Sequence, residues 1–210
     1  MNEFSKFFEE LCRTHEASIV FTDFLNYVID LFLINPDKRY FDYNRYSEDE
    51  YKLFFKLFNA LVLSMQKELE NQEWFDFLGK FYEDIIISKH KAGSRGQFFT
   101  PASVADLMAE LLSPEKAGFC YDPTCGSGRL LLAHHIHEPG DVCVGWDLDE
   151  QACKMCVVNL LLHGVKGSVV WGNSLSYEFY DAWKVHEFPF AIMKVESSRE
   201  AEIFIGEGNL

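Results

Sequence analysis

The stretch Asp122-Pro123-Thr124-Cys125-Gly126-Ser127-Gly128 constrains this chain more than any other. A short apolar run, Gly118-Phe119-Cys120-Tyr121, enters it like a buried strand, and Leu130-Leu131-Leu132-Ala133 leaves it like an apolar helix. Glycines between strand and helix let backbone N–H groups come close to a ligand, at a helix N-terminus whose partial positive charge favours anions. Asp147 follows at the end of a second strand-like run, Val142-Cys143-Val144-Gly145-Trp146. Glycine loop, helix, strand and then an acid for ribose hydroxyls is the Rossmann-type arrangement, so the sequence predicts a nucleoside-cofactor site.

The rest of the chain falls into two parts. Residues 1–88 read as a helical N-terminal domain. Phe4, Phe7, Phe8 and Leu11 recur at helical spacing, followed by Phe24, Val28, Ile29, Leu31 and Phe32 with Thr22 placed to cap. Asn35-Pro36-Asp37 breaks the pattern. Ser47, with Glu50 three residues on, opens a long helix to about Glu70, and another spans roughly Trp74 to Ile87. Lys89–Arg95, the one basic cluster, reads as a solvated linker, with a local phosphate contact as the alternative. In residues 89–210, Pro101 opens a helix over 102–112 with Thr100 as cap. Strands and helices then alternate: strand 118–122, helix 127–137, strand 141–146, helix 149–163, strand 168–172, with further strands over 188–195 and 202–205. Such alternation predicts an α/β fold with a parallel, shortened Rossmann-like sheet, since a full doubly wound sheet needs more strands than remain.

Composition removes several classes. No apolar run reaches membrane-span length, and Met1-Asn2-Glu3-Phe4 lacks the basic start of a signal peptide, so the expectation is a cytoplasmic protein without membrane contact. The six cysteines read as free thiols, and Cys153-Lys154-Met155-Cys156 has no second ligand pair at metal-site spacing, so no metal site is assigned. The net charge is −14, and neither part is basic: residues 1–88 carry nine Lys/Arg against seventeen Asp/Glu, residues 89–210 ten against sixteen. Tight unaided binding to a phosphate backbone is not expected of such a surface.

Four segments are expected to converge on one cofactor pocket. Asp122, Pro123, Gly126, Ser127 and Gly128 form the glycine loop, under either the methionine end of a nucleoside cofactor or a dinucleotide pyrophosphate. Asp147 accepts hydrogen bonds from ribose hydroxyls. Asn173 and Ser174, in Gly172-Asn173-Ser174-Leu175, follow the third strand at the rim where open α/β sheets place ligands, and the Asn173 amide suits adenine. Gln97, Phe98, Phe99, Thr100 and Pro101 precede a helix, so Thr100 and nearby backbone N–H groups can bind an anionic end. Simpler roles stand beside these: Asp122 as a brace of the loop, Asn173 as a turn former, Phe98 and Phe99 as core.

Gly96-Gln97-Phe98-Phe99-Thr100-Pro101 followed by Asp122-Pro123-Thr124-Cys125-Gly126-Ser127-Gly128 resembles the N6-adenine DNA methyltransferases, above all the modification subunits of type I restriction systems. The resemblance covers about residues 90–175 and favours S-adenosylmethionine as cofactor. It implies that Gly145-Trp146-Asp147-Leu148-Asp149 is the ribose-binding segment and Gly172-Asn173-Ser174-Leu175 the segment beside the cofactor's adenine. It also implies DNA contact through a specificity or partner subunit, and it is compatible with an oligomer.

One departure matters. The family uses an Asn/Asp-Pro-Pro-aromatic tetrapeptide after its next strand to hold a flipped adenine. At the expected place stands Phe190-Ala191-Ile192-Met193-Lys194-Val195-Glu196-Ser197-Ser198, without it. Glu196 offers no stacking platform, Asn35-Pro36-Asp37 lacks the second proline and the aromatic, and His134 and His137 share a helix face without an evident carboxylate partner. No catalytic residue is therefore assigned. The expectation is an S-adenosylmethionine-binding domain that is not catalytic as an isolated chain. Two alternatives remain: an adenine N6-methyltransferase completed by a partner chain, and a methyltransferase acting on a substrate other than a nucleobase.

Overall fold

The structure, a computed structural model, describes residues 2–34, 39–87, 99–112 and 118–195. Two compact units emerge, one of Met1–Leu31 with Asp37–Gln97 and one of Phe32–Pro36 with Phe98–Leu210. The predicted linker Lys89–Arg95, the Asn35-Pro36-Asp37 break and the strand over 202–205 lie outside the described residues, as do Gln97 and Phe98.

The first unit is helical. Helices α1 (Glu3–Leu11), α2 (Ala17–Phe32), α3 (Glu48–Leu69) and α4 (Phe77–Phe81) are followed by a π-helical turn over Tyr82–Ile87. Phenylalanines at helical spacing meet in one core, where Phe4 packs edge-on against Phe24, Phe77 and Phe81 with ring centroids 4.8–5.3 Å apart. Ser47 and Glu50 form the expected capping box. Thr22 does not cap α2: the helix begins a turn earlier, and the Thr22 hydroxyl donates to the Ser18 carbonyl from inside it. The aromatic-rich segment before α3 is pinned by two buried acids of α2. Asp30 accepts the backbone N–H groups of Tyr40 and Phe41, and Asp23 accepts from the Arg45 guanidinium and the Tyr46 hydroxyl.

The second unit alternates as the sequence predicts, up to its third strand. It contains α5 (Ala102–Leu112), β1 (Phe119–Asp122), α6 (Arg129–His137), β2 (Val142–Asp147), α7 (Glu150–Leu162), β3 (Gly167–Asn173), β4 (Glu178–Glu187) and β5 (Phe190–Val195). The sheet order is β1-β2-β3-β4-β5. β1, β2 and β3 are parallel, with Cys120 opposite Cys143 and Val144 opposite Ser168. α6 and α7 pack against this parallel part, and Gly145 lets α6 approach closely: a Cβ there would stand 3.1 Å from Leu131. The other face carries the cluster of Val144, Trp146, Val170, Ala182 and Val195.

The expectation of an all-parallel sheet is corrected beyond β3. β4 runs antiparallel to β3, and β5 antiparallel to β4. Parallel neighbours need a crossover of a dozen or more residues, and the links here are residues 174–177 and 188–189, so only hairpins can form. The strand expected at 188–195 is thus real as β5, but it closes the sheet on the far side of β3. Ile34 N–H donates to the Ile192 carbonyl there, at 2.9 Å. Among the described residues, β1 is the opposite edge strand.

Candidate cofactor pocket

The site is built where β1, β2 and β3 end. β1 delivers Asp122 into a turn whose first bond runs from the Thr124 N–H to Asp122 Oδ1, at 3.0 Å. The turn then drops onto β2. Cys125 N–H donates to the Trp146 carbonyl at 2.7 Å, and Gly128 N–H returns to the Cys125 carbonyl at 2.8 Å. Gly145 makes this approach possible, since a Cβ on it would lie 2.8 Å from Cys125 Sγ.

Two glycines in the loop are required by geometry. Gly126 has φ +53° and Gly128 φ +91°, backbone conformations that L side chains rarely adopt. A Cβ on Gly126 would touch the Phe99 ring at 3.0 Å, and one on Gly128 would lie 2.8 Å from Cys156 Sγ. Gly128 also stands at the N-cap of α6 and, having no side chain, makes no side-chain cap bond there. The N–H groups of Thr124, Cys125 and Gly128 are thus engaged within the fold, and α6 begins directly after the loop.

Asp122 is the most unusual group in the pocket. It is buried, one oxygen serves the turn, and Oδ2 receives no hydrogen bond from any described group. Burial pushes its carboxyl up from the usual range, and the neighbouring Asp147 charge adds to this against the Thr124 N–H, which lowers it. A buried carboxylate oxygen without a donor is costly unless a cation or donor arrives.

Asp147 has a more specific place than its spacing revealed. Oδ2 accepts the Gly126 N–H at 2.8 Å and Oδ1 accepts the Asp149 N–H at 2.9 Å. It locks the glycine loop to the end of β2, and a carboxylate retains further acceptor positions on both oxygens. Leu148 follows, exposed at the rim, its carbonyl held by Trp171 Nε1–H at 3.1 Å. Asn173 Oδ1 accepts from Leu175 and Ser176 N–H, so Asn173 is a turn former, with half-buried Ser174 beside it.

Of the upstream segment, Phe99, Thr100 and Pro101 are described. Phe99 lies against Gly126, and the Arg129 guanidinium sits 5.2 Å from its ring centroid. Arg129 also donates to the Thr100 carbonyl at 3.1 Å, joining the start of α5 to the start of α6. Thr100 is not seen to cap α5 with its side chain; the first helical bonds there run to the Pro101 carbonyl. Pro123 is exposed at the loop's outer turn, and Ser127 is buried beneath it.

The sequence reading missed the residues that hold the loop from below. Asn159 on α7 donates from Nδ2 to the Ser127 carbonyl at 2.9 Å, fully buried. A lone Asn on an otherwise apolar helix face was the available signal. Cys156 supports Gly128, and its thiol, hydrogen-bonded with the Cys125 thiol and deeply buried, is held well above the usual range. All six cysteines are free thiols. His134 does have a carboxylate partner, contrary to the sequence expectation. Nε2 lies 3.0 Å from Asp141 Oδ2, both groups buried, and the pair ties the end of α6 to the start of β2. No helix among the described residues is long and apolar enough to cross a membrane.

The profile of the N-6 DNA methylases matches residues 73–192, more than half of the chain. The type I restriction enzyme MjaVIII methylase subunit of Methanocaldococcus jannaschii is 31% identical over 109 residues, covering 48% of this chain and 19% of the relative. The type II restriction enzyme and methyltransferase RM.BcgI of Heyndrickxia coagulans is 26% identical over 134 residues, covering 57% and 21%. A solved modification subunit of a type I restriction enzyme from Vibrio vulnificus, described as putative, superimposes with TM-score 0.40 at 27% identity, over 47% of this chain and 23% of that one. The chain thus spans about a fifth of the length of the curated relatives it matches.

Proposed function

The chain belongs to the N-6 DNA methylase family, and from that premise we propose that it binds S-adenosylmethionine above β1–β3 without transferring a methyl group by itself. The observation that carries the reading is the buried Asp122 Oδ2, which lacks a donor and lies in the loop that leads into the N-terminus of α6. A ligand with a cationic and an anionic end fits both at once. Asp122 accepts the ammonium, and the N–H groups at the α6 N-terminus take the carboxylate. Asp147 keeps the loop in place and uses its remaining acceptor positions for ribose hydroxyls. Leu148 flanks the base, and the Asn173 amine, not its oxygen, is the end that faces a ring nitrogen. Bound S-adenosylmethionine supplies a methyl group made electrophilic by its sulfonium.

Holding a base for attack on that methyl is a positioning task. The sequence offers no Asn/Asp-Pro-Pro-aromatic element for it, and the strand from the expected region lies at the far sheet edge as β5. These 210 residues are therefore the cofactor-holding part of an adenine-N6 DNA methyltransferase, and the base-holding element and DNA contacts are supplied from outside them. An assay of methyl transfer to mixed-sequence duplex DNA tests this. No transfer above the rate without protein is expected from the chain alone; sustained turnover overturns the reading.

A further inference from the structure

The helical unit carries a cleft of about 270 Å³ between the start of α1, the C-terminal part of α3 and residues 75–84. Small-molecule sites start at about 300 Å³, so the cleft has the size for one small ligand. Its apolar lining is aromatic. Phe77 and Phe81 are buried with their rings stacked 6.3 Å apart, and half-buried Phe75 stands edge-on to Phe77.

The polar groups set the chemistry. Lys67 and Lys80 both line the cleft, and neither ammonium has a carboxylate partner among the described residues. Carboxylates outnumber cations seventeen to nine in residues 1–88, yet these two cations stay unpaired on one cleft. Lys80 Nζ instead sits 5.5 Å from the centroid of the Phe75 ring. The Ser5 and Ser64 hydroxyls, also in the lining, make no hydrogen bond among the described residues. Of the two acids in the lining, Asp84 is already engaged. Glu68 accepts one long bond, from the Gln72 amide to Oε2 at 3.4 Å, and Oε1 keeps its acceptor positions.

We infer that this cleft binds a free ribonucleoside monophosphate, with its phosphate between Lys67 and Lys80, its ribose on Glu68 and its base on Phe75. Two ammonium groups and two hydroxyls are donors for phosphate oxygens. A cation over an exposed ring is held more weakly than one bonded to an anion, so Lys80 moves from Phe75 to the phosphate. The ring face it leaves is a stacking surface for a base. Glu68 then has a role that a purely anionic ligand would not give it, as acceptor for ribose hydroxyls. A DNA strand lacks the 2′-hydroxyl and would bring a row of phosphates to an acidic unit, so the chemistry favours the free ribonucleotide.

The probe is uridine 5′-monophosphate, titrated calorimetrically into the full chain at low salt. One saturable site with a dissociation constant of about 0.1–1 mM is expected. Uridine and inorganic phosphate are each expected to bind about tenfold more weakly or worse. Lys67→Ala/Lys80→Ala should weaken the nucleotide about tenfold or more. Lys52→Ala, which removes a lysine of the same helix paired with Glu48 and Asp49, should leave it unchanged. The advantage of the ribonucleotide over 2′,3′-dideoxyuridine 5′-monophosphate should disappear in Glu68→Ala. Asp147→Ala should retain full affinity, which separates this site from the cofactor pocket whether or not that pocket binds S-adenosylmethionine. The inference is overturned if no saturable binding occurs at millimolar nucleotide, if the lysine change has no effect, or if Asp147→Ala abolishes binding. It is also overturned if single-stranded decathymidylate binds more tightly than the mononucleotide, which would assign the cleft to a strand.

Discussion

The residue whose chemistry is most specific to this chain is Asp122. Its raised carboxyl gives a sign that can be checked. A group that binds its proton more tightly when folded costs stability once pH rises above its unfolded value, near 3.9, and the cost is complete above the folded value. Asp122→Asn removes that cost. Its melting temperature at pH 7–8 is expected to exceed that of the parent, with the difference vanishing below about pH 4. The same change removes the acceptor for an ammonium, so affinity for S-adenosylmethionine falls by about 1.5–3 kcal/mol. A variant both less stable and equally tight contradicts the role. Gly128→Ala is expected to cost about 1–3 kcal/mol in urea denaturation, from its positive φ and the contact with Cys156. Adding Cys156→Ala should return only part, because it relieves the contact and leaves the φ. The glycine pattern was legible in the sequence because turn chemistry is local. Asn159 beneath Ser127 was not, because 32 residues separate the partners and only the packing of α7 unites them.

At the level of elements, local signals were read well wherever they were self-contained. The Ser47–Glu50 capping box appears as the spacing predicts, and Glu50 also accepts the Thr14 hydroxyl at 2.8 Å. The Ser47 backbone N–H, followed by the Ser47 and Thr14 hydroxyls, lowers the Glu50 carboxyl to about 2. A depressed carboxyl stabilises above its unfolded value, near 4.3, and that contribution is lost as pH falls towards 2. Urea denaturation of Glu50→Gln between pH 6 and pH 2.5 should therefore show a shallower loss of stability than the parent; parallel curves contradict the assignment. β4 was not read, because Glu178, Asp181, Lys184, His186 and Glu187 interrupt its apolar residues. The antiparallel turn of the sheet follows from that omission. A missed strand hides two short links, and link length decides strand direction. Thr22 shows the reverse error. A cap residue inside an apolar run reads as a start, while helix α2 begins at Ala17.

At the scale of the molecule, an acidic chain of two units carries the candidate cofactor site in its second unit, on a sheet that is parallel on one side and closed by hairpins on the other. The family and the cofactor loop were legible because they lie in one stretch of sequence. The position of β5, far from β1, was not, because no local signal reports which sheet edge a strand joins. The central claim is that the pocket holds S-adenosylmethionine, and isothermal titration of the full chain with that ligand tests it most directly. A single saturable site with a dissociation constant at or below about 100 μM is expected. Asp147→Ala should weaken it by at least about 1 kcal/mol, because the anchor of Gly126 is lost with the ribose acceptor. Absence of binding at millimolar ligand contradicts the account.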